Sequence, residues 1–263
     1  MTISAPNFAG IATRRYGALV HGFGLRDSVW LAGVTLIRQI HSDIVVDALE
    51  AQMSARNAGS ADTRTEVADG ARNNEPNPGA REPRKNEPNP AARGLEPGQG
   101  EPSREGDALV ANCPDIVIGI KTADCVPILL VDPETGSIAS VHAGWRGTAQ
   151  GIVAKTIREL ASRWGTRPES LRAAVGPAIG GCCYEVGPEV ARRFGIEGSG
   201  SVHLDLAEIN RRQLEEAGVG NIWLSGECTF CSPERFYSFR REKDKAGRML
   251  AYIGWQKHDG RAL

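Results

Sequence analysis

A cysteine and a histidine stand at facing ends of one stretch, Ile116 to Gly147, which reads IVIGIKTADCVPILLVDPETGSIASVHAGWRG. Val126–Val131 is a continuous apolar run of strand length, the pattern of a strand buried on both faces. Asp132-Pro133-Glu134-Thr135-Gly136 is a turn, with proline setting φ and glycine supplying a positive φ. Ser137–His142 then returns as the partner strand. Folding about the turn brings Cys125 level with His142 to within about one residue of register, where cross-strand Cβ atoms lie roughly 5 Å apart. Alone, Cys125 reads as a small buried hydrophobe and His142 as a hydrogen-bonded core histidine. Together they suit two chemistries: a thiolate nucleophile activated by imidazole, or soft metal ligation, usually of zinc. Catalytic zinc takes three protein ligands and keeps one position open. His41, in the loop Gln39-Ile40-His41-Ser42, is the best third ligand, although its local context equally fits a surface loop histidine. His21 and His203 are weaker candidates, and His258 sits in a polar tail.

Arg146 precedes a glycine and a helix start, a placement that suits an oxyanion, and also suits a solvated loop arginine. The glycine-rich loop Gly176–Gly181 lacks the lysine and spacing of a Walker P-loop, so a tight structural turn is the plainer reading. Cys228-Thr229-Phe230-Cys231 is a lone C-x-x-C, for which two free thiols are the preferred reading over a structural metal. Cys182 and Cys183 are adjacent, and are assigned a structural or pocket-lining role.

These residues need elements to carry them. Strands are predicted over Ile11–Val20, Val34–Ile40, Ile44–Val46, Ile116–Lys121, Leu171–Val175, Asn221–Leu224, Phe236–Arg241 and Met249–Trp255. The two glycines of His21-Gly22-Phe23-Gly24-Leu25-Arg26 predict a loop there. Thr148 is the predicted N-cap of a helix to about Trp164, with Ile152, Val153, Thr156, Ile157 and Leu160 on one face. Pro188 opens a short helix ending near Phe194, and Leu206–Ala217 forms another that Gly218 ends. Strands and helices in mixed order predict an α/β or α+β core with a mixed sheet.

The 263 residues form one large domain or two small ones, with ordinary globular values of 41% hydrophobic and 24% charged residues. Residues 51–104 depart from this, being rich in Pro, Gly, Asn, Glu and Arg and carrying NEPNP at Asn74–Pro78 and again at Asn86–Pro90. Such a composition cannot bury enough surface to offset ordering entropy, so it reads as a disordered insertion in a surface loop. A net charge of −1 leaves no electrostatic footprint for nucleic acid or an anionic membrane. No apolar run approaches the roughly 20 residues of a membrane span. The N-terminus MTISAPNFAG has no basic-then-apolar leader, and six unevenly placed cysteines are no disulfide framework. A reducing cytoplasm is expected.

The blocks Thr122-Ala123-Asp124-Cys125-Val126-Pro127, Val141-His142-Ala143-Gly144-Trp145-Arg146-Gly147, Gly176-Pro177-Ala178-Ile179 and Cys182-Cys183-Tyr184-Glu185-Val186 resemble the YfiH-like family. That family is also named the multicopper polyphenol oxidase or laccase-domain family, and purine nucleoside phosphorylase. His21-Gly22-Phe23, Gln39-Ile40-His41, Asp107-Ala108-Leu109, Leu204-Asp205-Leu206, Cys228-Thr229 and Phe239-Arg240-Arg241 extend the resemblance over nearly the whole chain outside the insertion. It implies a single catalytic domain over residues 1–263, α+β with mixed sheets in a four-layer α/β/β/α arrangement. It implies a cytosolic enzyme that cleaves adenosine, inosine and methylthioadenosine with phosphate, with adenosine deamination as a further activity. It also implies a metal, zinc with copper as the alternative, on His41, Cys125 and His142. Arg146, Arg26 and Arg240 would then serve phosphate or substrate, with Asp124 a candidate proton carrier. Two departures stand out: the stretch between Trp30 and Leu36 is much shorter than the family's, and Leu25 replaces the family's threonine before the arginine. Three other functions stay open: a copper-dependent polyphenol oxidase, a cysteine hydrolase using Cys125 and His142, and a peptidoglycan-editing factor. Against the first, the chain lacks the several His-x-His pairs of clustered copper. Oligomeric state is left open by the sequence.

Overall fold

A computed structural model describes residues 1–13, 16–28, 33–52 and 104–256. The first part of the chain supplies β1 (Thr2–Ile3), β2 (Ala12–Thr13), β3 (Gly17–Gly24), β4 (Val34–Thr35) and β5 (Val45–Asp47). β6 (Ala108–Ala111), β7 (Val117–Thr122), β8 (Val126–Val131) and β9 (Ile138–Ala143) follow. Then come the helices α1 (Trp145–Ala149) and α2 (Ile152–Trp164), and strand β10 (Arg172–Val175). The rest is β11 (Glu185–Val186), α3 (Pro188–Ala191), β12 (Val202–His203), α4 (Leu206–Glu216), β13 (Asn221–Leu224), α5 (Phe239–Glu242) and β14 (Met249–Gln256).

Two mixed sheets form an α+β architecture. One runs β1-β3-β14-β7-β4 with β2 on β3, the other β13-β10-β8-β9-β6-β5. In the first, β4 is parallel to β7; in the second, β10 is parallel to β13 and β5 to β6. The remaining pairings are antiparallel. The period-2 alternation of strands explains the all-apolar run of β8. Leu129 and Val131 face Ile118, Ile120, Phe23, Ile253 and Trp255 of the first sheet in one core cluster. Val126, Ile128 and Leu130 face the other way, onto Ile152, Val153, Ile157 and Leu160 of α2 and onto α4. The central sheet is therefore buried on both faces, with a sheet on one side and helices on the other. The four-layer expectation also needs helices beyond the first sheet, and that layer is not among these clusters. Among the described residues, no helix is long and apolar enough to cross a membrane. The proposed insertion at 51–104 falls almost wholly outside the described residues, as do Trp30, within the shortened 30–36 stretch, and His258.

Several expectations change. His21-Gly22-Phe23-Gly24 is strand, not loop, because its glycines serve close strand approach. A Cβ on Gly22 would lie 2.9 Å from the Tyr252 hydroxyl of the neighbouring strand, and one on Gly24 3.1 Å from the Leu250 carbonyl. The predicted strand Val34–Ile40 stops at Thr35, and the Gln39 amide then imitates a strand backbone. It accepts from the Lys121 N–H at 2.7 Å and donates to the Lys121 carbonyl at 2.8 Å. Thr148 does not cap a helix. Its hydroxyl accepts from Asn210, and the helix is broken in two at Gly151, whose φ of 71° is left-handed. The predicted face of α2 is buried in full. Phe236–Arg241 is not a strand, since the Ser238 hydroxyl accepts from Arg241 N–H and starts the single turn α5.

Candidate active and metal centre

Cys125 leads into β8 and His142 lies on β9. Pro127 pairs with His142 and Val126 with Ala143, so Cys125 sits two residues off His142 rather than within one. An offset of two keeps both side chains on one face of the pleat, and they meet diagonally. His41 arrives from a separate loop, held at a φ of 58°. Its ring meets that of His142 edge-on, with centroids 5.0 Å apart. One ligand atom each from His41, Cys125 and His142 lies within 4.8 Å of the others. A Cβ on Gly144 would come 3.3 Å from the Cys125 Sγ, 3.3 Å from the His41 Cδ2 and 3.9 Å from the His142 Cε1. Glycine there leaves the space between the three side chains clear. Two imidazoles and a thiol around such a space fit a zinc or copper ion held by three protein ligands.

A fully buried carboxylate builds this cradle. Asp107, at the head of β6, accepts from His142 Nδ1 at 2.8 Å, from the His41 N–H at 3.1 Å and from the Ser42 hydroxyl at 2.7 Å. The Ser42 and Ile40 backbone N–H groups also reach it, at 2.5 and 3.3 Å. One residue thus bends the His41 loop over the site and turns His142 so that Nε2 faces Cys125. Burial would raise the Asp107 carboxyl, but the hydrogen bonds from His142 and Ser42 outweigh it and bring it down to about 2. Burial would likewise raise the Cys125 thiol. The charge of His142, and hydrogen bonds from His142 and His41, prevail and lower it to about 6. His142 moves up, against its burial, through the Cys125 charge and the Asp107 bond. Both shifts favour a thiolate beside an imidazolium when no metal is bound.

The remaining candidates are placed differently. Asp124, the candidate proton carrier, is buried beside Cys125. It holds a φ of 86°, and its carboxylate accepts from the Thr229 hydroxyl at 2.6 Å, the Ser238 hydroxyl at 3.0 Å and the Arg240 N–H at 2.6 Å. It anchors the 229–240 loop beside Cys125. Arg146 is exposed and stacks on Trp145 at 4.3 Å. Arg240 donates to the Glu185 carbonyl at 2.9 Å and lies 5.4 Å from the Tyr184 ring centroid. Arg26 is tied elsewhere, paired with Glu242 at 2.7 Å and stacked on Tyr237 at 4.4 Å. His21 accepts from the Ala5 N–H and packs on Phe8.

Two residues escaped the sequence reading. Asp107 stood in the sequence only within the block Asp107-Ala108-Leu109; nothing local marks it as the hub of two loops. Tyr184 is half-buried, its hydroxyl pushed up to about 12 by burial and then by the Cys125 and Asp124 charges, against Arg240 and Arg146. Its ring lies under the guanidinium of Arg240, whose backbone N–H is bonded to Asp124. It could have been found only from the block that carries it.

Residues 24–256 match the model of a family described as multi-copper polyphenol oxidoreductase laccase. A purine nucleoside phosphorylase of Deinococcus radiodurans is 47% identical over 164 residues, covering 59% of this chain and 64% of that protein. Adenosine deaminase RL5, from an unknown prokaryotic organism, is 42% identical over 174 residues, covering 60% of this chain and 66% of that protein. The matched part spans just under two thirds of either relative. The crystal structure of YlmD from Geobacillus stearothermophilus aligns with a TM-score of 0.67 at 27% identity, over 96% of this chain and 94% of that one.

Proposed function

The chain belongs to the multi-copper polyphenol oxidoreductase laccase family, the YfiH-like proteins, and from that premise we propose that it is a metal-dependent purine nucleoside phosphorylase. Its substrates are adenosine, inosine or methylthioadenosine with phosphate, and its products are the free base and the ribose 1-phosphate. The observation that carries this reading is the joining of His41, Cys125 and His142 into one ligand set, with Arg146 in the helix that follows β9 and Arg240 bonded through its N–H to Asp124, the neighbour of Cys125. A bound zinc or copper ion would supply a fixed positive charge for orienting and polarising an oxygen of phosphate or water. The two guanidinium groups bind the phosphate oxygens and offset their charge. Tyr184, still protonated at neutral pH, offers a hydrogen-bond donor and an aromatic face to the nucleoside. An oxygen of hydrogen phosphate bonds to C1′ as the bond from C1′ to the base nitrogen breaks; the base leaves with that electron pair and takes up the proton that the phosphate gives up. Asp107 and Asp124 hold the groups that do this and do not touch the substrate.

Adenosine deamination is a second activity of the same site, favoured by the relative that bears that name. A polyphenol oxidase is disfavoured, because the three-ligand set offers one ion rather than a copper cluster. The test is to incubate the metal-loaded protein with inosine or adenosine, with and without phosphate, and to quantify base and ribose 1-phosphate. Phosphate-dependent release of base that disappears in Cys125→Ala is expected. No phosphate-dependent release from the metal-loaded wild type would falsify the assignment.

A further inference from the structure

Four cysteines stand apart from the centre described above. Cys182 and Cys183 follow β10, and Cys228 and Cys231 follow β13. These two loops leave neighbouring parallel strands and stay joined beyond them. Ala178 N–H donates to the Glu227 carbonyl at 3.2 Å, and Thr229 N–H to the Ala178 carbonyl at 3.0 Å. The four Sγ atoms all lie within 4.8 Å of one another. Cys231 Sγ is 3.7 Å from that of Cys182 and 3.4 Å from that of Cys183. Four thiolates at zinc–sulfur bonds of about 2.3 Å would be roughly 3.8 Å apart at the corners of a tetrahedron. The Gly180 N–H donates to Cys228 Sγ at 3.3 Å. Such N–H to sulfur bonds orient a ligand and support its thiolate. Cys228 and Cys231 are free thiols, as the sequence reading preferred, and the fold sets two more free thiols beside them.

We propose that Cys182, Cys183, Cys228 and Cys231 form a second, structural zinc site. All four donors are sulfur and none leaves room for substrate, which marks a closed site rather than a catalytic one. Binding releases the thiol protons to solvent. The ion ties the two loops together. Tyr184 follows Cys183 directly, and Thr229, which follows Cys228, donates to Asp124. The proposal does not rest on the nucleoside assignment, and its readouts are metal and thiols rather than turnover.

The test uses the full chain purified in reductant without chelator. Cys125→Ala, which removes the first ligand set, should retain about one equivalent of zinc per chain. Cys228→Ser/Cys231→Ser should lose that equivalent while keeping the metal of the first centre. Replacement by cobalt(II) in Cys125→Ala should give the strong charge-transfer bands of a four-thiolate tetrahedron, and the single variant Cys182→Ser should weaken them with an unchanged circular dichroism spectrum. In native wild type the four thiols should resist a thiol-counting reagent until a chelator is added. Metal-free Cys125→Ala with all four thiols freely reactive would overturn the proposal. So would a disulfide between Cys183 and Cys231 in protein kept in reductant.

Discussion

Asp107 is fully buried and accepts hydrogen bonds from both histidine-bearing elements, so its effect would reach an ion held by those histidines without contact. Asp107→Asn keeps the volume but turns an amide N–H₂ toward donors that need an acceptor. Metal affinity, read by competition with a chromogenic chelator, should fall about 10- to 100-fold while far-UV circular dichroism stays native. The Cys125 thiol supplies a prediction in pH. Its acidity is raised by the His142 charge, and the thiolate is the species that alkylates, so reactive protein is present above the lowered value and lost below it. In chelator-treated protein, labelling of the Cys125 peptide by iodoacetamide should be half-maximal near pH 6. In His142→Ala the midpoint should move up toward the ordinary thiol value of about 8.5. A midpoint unchanged by that substitution would remove the imidazolium from the account.

Elements with long apolar periodicity were legible because one force dominates them. β8 is bounded as its apolar run is bounded, and the buried face of α2 is the one the spacing predicts. Where tertiary contacts substitute for local propensity, the sequence misleads. Gly22 reads as a turn until Tyr252 is placed over it, and Gln39 reads as strand until its amide is seen pairing with Lys121. The hairpin brought Cys125 near His142, but the third member of the cluster could not be derived from spacing. His41 reaches the pair only because Asp107, 66 residues further along, gathers its loop. The energetic weight of the central hairpin is testable. Leu129 has no exposed surface and packs within the core between the two sheets. Leu129→Ala should cost about 2–5 kcal/mol, seen as a lowered urea midpoint at an unchanged m-value.

At the scale of the whole molecule, the low-complexity stretch meets the folded part at two adjacent points. Arg104, where the described chain resumes, donates to Glu50 at 3.0 Å, and β5 pairs directly with β6. A segment that leaves and returns at one place on a sheet edge can be shortened without dragging the strands apart. The stretch also has almost no large apolar residues, so removing it takes little from any core. We propose that residues 54–102 are dispensable for folding and for both metal sites. Replacing about 50 residues by a Gly/Ser linker of about six lowers the loop-closure cost by up to roughly 2 kcal/mol, since that cost grows with the logarithm of loop length. The shortened chain should therefore melt at the same temperature or a few degrees higher, with its metal content unchanged. A loss of metal from the His41 set in soluble shortened protein would mean that the stretch braces the His41 loop through β5, and the single-domain reading with an inert insertion would have to be given up.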